Sequence, residues 1–136
     1  MPIIYHLYIT RSQIQANRQQ LFVFGDNLAR WGHGGQAYHM RGEPNSVGLP
    51  TKASPKKFLR DADLPTVLEA SKQDRIKLIN HHLDHGEIVW PWYGIGTGLA
   101  ALLEHAPAVA EFWDGFLLQL DPGSKHTTIK RGLEGP

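Results

Sequence analysis

The chain has 136 residues, a formal net charge of +1 at pH 7 and no cysteine. This length allows one domain with a hydrophobic core and is too short for two domains of ordinary size. The lack of cysteine excludes disulfides, cysteine-ligated zinc and thiol nucleophiles, and the small net charge gives no sign of a nucleic-acid or membrane-surface partner.

The first part of the chain predicts strands that alternate with helices. Apolar and aromatic residues over 2–9 predict a strand, and the polar residues 10–20 fit either a loop or a short exposed helix. Residues 21–25, LFVFG, form a continuous apolar run that is typical of a parallel strand buried on both faces. We expect a helix over 35–41 and a short strand over 46–51 that ends at its proline.

The middle of the chain predicts a loop, a long helix and a further strand. Residues 52–68 contain two prolines and many charges, which favour an exposed loop. A helix is expected to open at Pro65 and to run to about His85, with Gly86 as its cap. Residues 87–92, EIVWPW, predict the next strand.

The last part of the chain predicts a helical region and a polar tail. Residues 100–120 are helical in pattern, and Pro107 either divides this region or opens its second helix. We expect one domain over residues 1–120. The tail 121–136 is polar and glycine-rich, and it holds either a short edge strand over 126–130 or a partly disordered segment.

Alternating strands and helices predict an α/β fold with a mixed, largely parallel sheet. Ligands of such sheets bind beyond the carboxyl ends of the strands. Two glycine clusters directly follow the predicted strands 21–25 and 87–92. We therefore expect both clusters to lie at the same edge of the sheet.

The second cluster, YGIGTGLAA over 93–101, places Gly94, Gly96 and Gly98 between a strand and a helix. Glycine permits backbone conformations closed to other residues and allows a ligand close to the main chain. Successive amide groups then converge on an anion, aided by the positive end of the following helix. A phosphate or diphosphate fits this pattern, and so does a tight turn that binds nothing.

The first cluster, GDNLARWGHGG over 25–35, surrounds polar and aromatic side chains with glycines. Asp26 and Asn27 are suited to hydrogen-bond the hydroxyls or base edge of a ligand, or else to cap a turn. Trp31 either stacks on a flat ring or packs against the protein. One loop is suited to phosphates and the other to a sugar.

Lys52 follows GLPT and is expected just past a strand end, over the same edge. It is a candidate phosphate contact or nucleophile. It is equally a candidate for an ordinary solvated lysine, like the neighbouring Lys56 and Lys57.

The eight histidines are scattered. His81 and His85 have the i, i+4 spacing of a metal-binding helix face, but nothing in the sequence completes a ligand set. We expect no metal and no cofactor, and we interpret these histidines as helix-end residues.

Three ordered motifs, FVFGDNLARWGHGGQAYHMRG, GLPTK and YGIGTGLAALLEHAP, resemble the macrodomain-like superfamily, and most closely its small, phage-associated macro-like proteins. The resemblance covers roughly residues 20–120. It implies a three-layer α/β/α sandwich that binds ADP-ribose or a related nucleotide in a cleft at the strand ends.

The resemblance also implies roles for individual residues. Asn27 would lie at the distal ribose, the glycines of the first loop would close on the ribose and diphosphate, and residues 94–99 would form the second phosphate loop. The expected ligand-binding set is Gly25, Trp31, Gly32, His33, Gly34, Gly35, Thr51, Gly94, Ile95, Gly96, Thr97, Gly98 and Leu99.

The P-T-K triplet resembles macrodomains whose lysine attacks the ribose carbon to remove ADP-ribose from DNA bases or protein carboxylates. That role maps onto Lys52. The acidic helper of part of that branch corresponds to Ala100 here, which leaves Glu104, one helical turn further on, as a substitute. Asp26 stands where relatives often have serine, and its carboxylate would either act as a base or repel a phosphate.

Three functions remain open at this stage. The first is recognition of ADP-ribose, free or on a macromolecule, with or without hydrolysis of an ADP-ribosyl linkage. The second is a non-catalytic module that sequesters another nucleotide or NAD-derived signal. The third is single-stranded nucleic-acid binding, against which the near-zero charge argues. Its stacking and charge-bearing residues would be Trp31, Trp92, Tyr93, Lys52, Lys56, Lys57 and Arg60.

The location is expected to be cytoplasmic. No stretch approaches the ~20 apolar residues of a membrane-spanning helix. The opening residues MPIIYHLYIT lack the basic region and apolar block of a signal peptide.

Overall fold

The computed structural model describes residues 3–134, and the ends of the predicted first strand and of the tail, at residues 2 and 135–136, lie outside that range. Five strands form one sheet. They are β1 (Ile4–His6), β2 (Leu21–Asn27), β3 (Ser46–Ser54), β4 (Lys57–Phe58) and β5 (Ile88–Pro91).

Residues 3–134 also contain seven helices, of which the last three follow the last strand, and one 3-10 turn (Asp61–Asp63). None of the helices in the described range is long and apolar enough to cross a membrane. The helices are α1 (Arg11–Ala16), α2 (Ala37–Met40), α3 (Leu64–Ala70), α4 (Lys72–Leu83), α5 (Leu102–His105), α6 (Pro107–Leu120) and α7 (Thr128–Glu134).

The sheet has the strand order β1-β5-β2-β3-β4. The first four strands in this order are parallel, and β4 pairs with β3 antiparallel at one edge. The predicted α/β class with a mixed, largely parallel sheet is confirmed. β2 lies between β5 and β3, so the two strands that precede the glycine clusters are neighbours.

Side chains alternate across the central strands and build two separate cores. On one face, Phe22, Phe24 and Val89 pack with Ile14 of α1 and Met40 of α2. Each of these five side chains is at most 4% exposed. This burial on both faces explains why LFVF is uninterrupted by polar residues, as a central parallel strand requires.

The opposite face carries the larger core. Val23 and Trp90 of the sheet pack with Val67 of α3, Leu78 of α4 and Trp113 of α6. Helices therefore cover both faces, and the three-layer α/β/α arrangement is confirmed.

The expected end of β3 at its proline is wrong. β3 continues through Pro50 to Ser54, with Pro50 opposite Asp26 and Lys52 opposite Asn27. β4 pairs with β3 only from Lys52 onward, so at Pro50 β3 has a neighbouring strand, β2, on one side only. A missing N–H is tolerated where a strand has an open side, and the Pro50 carbonyl accepts the indole N–H of Trp113 at 2.9 Å.

The predicted loop over 52–68 is also wrong. This stretch contains the end of β3, all of β4, the 3-10 turn and the start of α3. Leu59 is only 1% exposed, and it anchors the segment in the larger core. Lys52 consequently lies within a strand rather than beyond one.

The predicted long helix is split in two. The buried Ser71 separates α3 from α4, and its hydroxyl donates to the Val67 carbonyl at 2.6 Å. At the other end, α4 stops at Leu83. His85, and not the expected cap residue Gly86, has the left-handed conformation that follows the helix, with φ +63°.

The C-terminal segment is helical rather than an edge strand. Residues 128–134 form the helix α7. Pro107 opens α6, which confirms one of the two alternatives expected for this proline. The buried carboxylate of Asp114 in α6 accepts the backbone N–H groups of Thr128 and Ile129. This long-range cap starts α7 at a point that sequence patterns do not show.

Burial raises the pKa of the Asp114 carboxyl above its ordinary value, and the N–H groups of Ile129 and Thr128 oppose the shift. The folded protein therefore keeps this proton to a higher pH than the unfolded chain. Ionisation of Asp114 lowers the free energy of unfolding as pH rises through that interval.

Asp114→Asn removes this titration and one of the two capping bonds. We expect it to cost about 1 kcal/mol at acidic pH. The difference in the free energy of unfolding between wild type and variant should then become smaller as pH rises. Urea unfolding across about pH 3 to 7 measures this difference, with the exposed Glu111→Gln of the same helix as the control. A difference that widens with pH contradicts this account.

Candidate functional site

A cleft of about 630 Å³ crosses the carboxyl ends of β1, β5, β2 and β3. The segments that follow these strands form its walls. All the predicted catalytic and ligand-binding residues except the candidate acidic helper Glu104 line this cleft: Gly25, Asp26, Asn27, Trp31, Gly32, His33, Gly34, Gly35, Thr51, Lys52, Gly94, Ile95, Gly96, Thr97, Gly98 and Leu99.

The second glycine loop, residues 92–101 (the second loop), approaches β2 at the base of the cleft and the first glycine loop, residues 28–36 (the first loop), at its rim. At the base, a Cβ on Gly25 would lie 3.4 Å from the amide nitrogen of Gly96. At the rim, a Cβ on Gly34 would lie 3.4 Å from Cδ1 of Leu99. The expectation that the loops open side by side is therefore confirmed.

Two carbonyl groups of the first loop are held by side chains that also line the cleft. Asn27 donates its side-chain N–H to the Trp31 carbonyl at 2.8 Å, and Nε of Arg41 donates to the Gly32 carbonyl at 2.7 Å. No described peptide bond is cis, and the C=O and N–H of a trans peptide point in opposite directions. The N–H groups of Gly32 and His33 therefore point away from these two anchors.

Two carbonyl groups of the second loop are held by backbone N–H groups. The Gly96 carbonyl accepts the N–H of Leu102 at 2.8 Å, and the Gly98 carbonyl accepts the N–H of Ala101 at 3.1 Å. The N–H groups of Thr97 and Leu99 then face the other way. Within residues 3–134, no acceptor lies within hydrogen-bond distance of either N–H.

The helix that follows the second loop contributes less than expected. α5 has four residues, Leu102–His105, too few to build a strong helix dipole. Its N-cap, Ala101, takes a left-handed conformation at φ +42°. An anion at this loop would therefore be bound by the loop's own backbone N–H groups, as in a backbone nest, and not by a helix dipole.

Asp26 is buried, at 6% exposure, and its carboxylate is fully engaged. It pairs with Arg41 and, at 3.3 Å, with Arg30, and it also accepts the N–H of Asn27. Two guanidinium groups compensate the charge of this carboxylate, which was expected either to act as a base or to repel a phosphate. Its catalytic role stays a prediction.

Asn27 has one unmet hydrogen-bonding group. The residue is 8% exposed, and its side-chain oxygen Oδ1 has no hydrogen-bond partner within the described part of the chain. Its amide nitrogen is already used by Trp31. A buried acceptor without a partner is costly unless a ligand or water completes it, and a ligand hydroxyl is a suitable donor.

Lys52 lies opposite Asn27 in the register of β2 and β3. Its ammonium group donates to the Pro55 carbonyl at 2.7 Å and lies 5.2 Å from the centre of the Phe58 ring. Both are contacts typical of a charged lysine. Nucleophilic attack by Lys52 requires that the side chain leave these partners, and this role also stays a prediction.

Glu104, the expected substitute for an acidic helper, projects away from the cleft. Its side chain is 78% exposed and lies 4.0 Å from His105. Ala100 does line the cleft and brings no acid.

Sequence reasoning named Trp31 and Trp92 but missed Tyr8 and Tyr38, two further exposed aromatic residues of the cleft. Tyr8 follows β1 just as Trp92 follows β5, and Tyr38 projects from α2 beside them. Tyr8 and Tyr38 are 65% and 64% exposed. The strand-end rule that located the glycine clusters also locates Tyr8. Arg41 was missed because its contacts with Asp26 and Gly32 are not local in sequence.

Arg41→Gln tests the pairing at Asp26. The variant leaves a buried carboxylate with Arg30 alone, and we expect the free energy of unfolding to fall by about 2–4 kcal/mol. Adding Asp26→Asn to Arg41→Gln should recover part of this loss, because the uncompensated charge disappears. Denaturant unfolding measures both, with Lys56→Gln on the exposed β4 side as the control. A loss below about 0.5 kcal/mol, the level of a surface ion pair, contradicts the assignment.

The comparisons with known proteins give one match. The sequence profile of a family of unknown function, DUF7831, matches residues 4–115. No curated protein and no solved structure matches the chain. The matched range includes both glycine loops and Lys52, and the chain belongs to the DUF7831 family.

Proposed function

We propose that the cleft binds ADP-ribose or a closely related nucleoside diphosphate. The observation that carries this proposal is the backbone geometry of the two loops. Their carbonyl groups at Trp31, Gly32, Gly96 and Gly98 are hydrogen-bonded within the protein, which leaves the opposed amide groups of these peptides to donate to an anion. A diphosphate has oxygens enough to meet amides from two sides.

The size and shape of the cleft agree with such a ligand. Its volume of about 630 Å³ falls within the range of small-molecule sites. It crosses four adjacent strand ends, a distance of about 14 Å at the usual strand spacing. An extended nucleotide diphosphate suits this elongated site better than a single sugar or a free phosphate.

The side chains at the two ends of the cleft differ in chemistry. Aromatic residues Tyr8 and Trp92 stand at the β1 and β5 end, where a base would stack. Asn27 and Thr51 stand at the β2 and β3 end, where the hydroxyls of a ribose would be recognised. This difference in side-chain chemistry between the two ends orients the ligand with its base over β1 and β5.

Binding without hydrolysis is the form of the function that the contacts favour. The Lys52 ammonium is held by Pro55 and Phe58, Asp26 is compensated by two arginines, and position 100 is an alanine. A module that captures the nucleotide needs none of these groups in a reactive state.

Hydrolysis of an ADP-ribosyl linkage is the second candidate, because Lys52 lies directly opposite Asn27 in the sheet register. A ribose held by Asn27 would place its anomeric carbon near this lysine.

Gly98→Val tests the binding site. A Cβ at Gly98 meets nothing within 4 Å, so the variant should fold normally while its side chain occupies space in front of the loop amides. We expect affinity for ADP-ribose, measured by titration calorimetry, to fall at least about tenfold. Gly115→Ala, equally open but in α6, is the matched control. Equal affinity for ADP-ribose in the two variants and wild type contradicts the proposal.

Lys52→Ala distinguishes binding from hydrolysis. If the protein only binds, the variant should keep ADP-ribose affinity within about threefold of wild type, and neither should release ADP-ribose from ADP-ribosylated DNA or protein. Turnover by the wild type that is lost in Lys52→Ala, with binding retained, would establish the hydrolytic function instead.

A further inference from the structure

The C-terminal segment, residues 121–134, lies behind the second loop. Thr128 is 2% exposed, and its hydroxyl donates to the Ile95 carbonyl at 2.6 Å. On its other side, the Thr128 N–H donates to the Asp114 carboxylate of α6. Thr128 thus links the main helix of the larger core to one particular peptide of the second loop.

The contact between the segment and the loop is close. Gly94 has φ +79°, and a Cβ there would lie 3.0 Å from the His126 carbonyl and 3.1 Å from Cα of Thr128. Only glycine fits against the segment at this point. Further along, Thr97 and Leu103 face Gly132 of α7. The loop and the segment are packed as one unit.

The Thr128 contact determines the direction of the Ile95–Gly96 peptide. Its carbonyl points back at the Thr128 hydroxyl, so its N–H, which belongs to Gly96, points the opposite way. Gly96 lines the cleft and Thr128 does not, and the amide nitrogen of Gly96 lies 3.4 Å from the Cβ position of Gly25, another lining residue. Within residues 3–134 no acceptor meets this N–H.

We propose that Thr128 is a positioning residue, whose hydroxyl fixes the Ile95–Gly96 peptide so that the Gly96 N–H donates to the diphosphate of the ligand. The proposal rests on the function proposed above for the cleft. The C-terminal segment then contributes to the geometry of the binding site, although Thr128 itself does not contact the ligand.

Thr128→Val removes the hydroxyl and keeps the shape of the side chain. We expect affinity for ADP-ribose to fall about tenfold, the effect of one misdirected hydrogen bond. Thr128→Ser, which keeps the hydroxyl, should restore binding to within about twofold. Thr127→Val is the matched control, because the Thr127 hydroxyl accepts the Lys130 N–H at the start of α7 and does not contact Ile95.

A ligand-free readout separates this proposal from the proposed function. In amide NMR spectra, Thr128→Val should shift or broaden the Gly96 signal, and Thr127→Val should leave it unchanged. If the wild type does not bind ADP-ribose, the proposed function is refuted, and so is the role of the Gly96 N–H as a donor to the diphosphate. The Gly96 signal then still decides whether Thr128 orients the Ile95–Gly96 peptide. An unchanged Gly96 signal, or equal affinity of Thr128→Val and wild type, overturns the proposal.

Discussion

A trans peptide cannot point its carbonyl and its N–H in the same direction, and this constraint organises the cleft. In both glycine loops, donors of the protein itself hold carbonyl groups: Asn27 and Arg41 for the first, Leu102 and Ala101 for the second. The amide groups that remain turn the other way. In the function that we propose, these amide groups are the donors to the anion.

The buried charges support this arrangement. The carboxylate of Asp26 pairs with Arg30 and Arg41, and Arg41 in turn holds the Gly32 carbonyl. A buried ion pair adds little to stability, but loss of one partner costs much, so such pairs serve to fix geometry. Asp114 has the equivalent place behind the second loop, where it holds the start of α7. Each loop is thus held through a buried carboxylate, Asp26 in the lining of the cleft and Asp114 outside that lining.

The sequence predicted the sheet class and the place of the site because both depend on local patterns. An uninterrupted apolar run identified β2, and glycines directly after β2 and β5 identified the two loops. The prediction failed where distant contacts decide. The single neighbour of β3 at Pro50 lets the strand continue, and the Asp114 cap turns a polar tail into a helix. Neither contact leaves a periodic signal in the residues around it.

The most direct measurement of the central claim is a backbone amide NMR titration of the wild type with ADP-ribose. The account predicts that the largest shifts fall on amides of both loops together, those of Gly32 and His33 in the first and of Gly96, Thr97 and Leu99 in the second. Both groups should move with one binding constant. Shifts confined to one loop, or centred away from the carboxyl ends of β2 and β5, would contradict it.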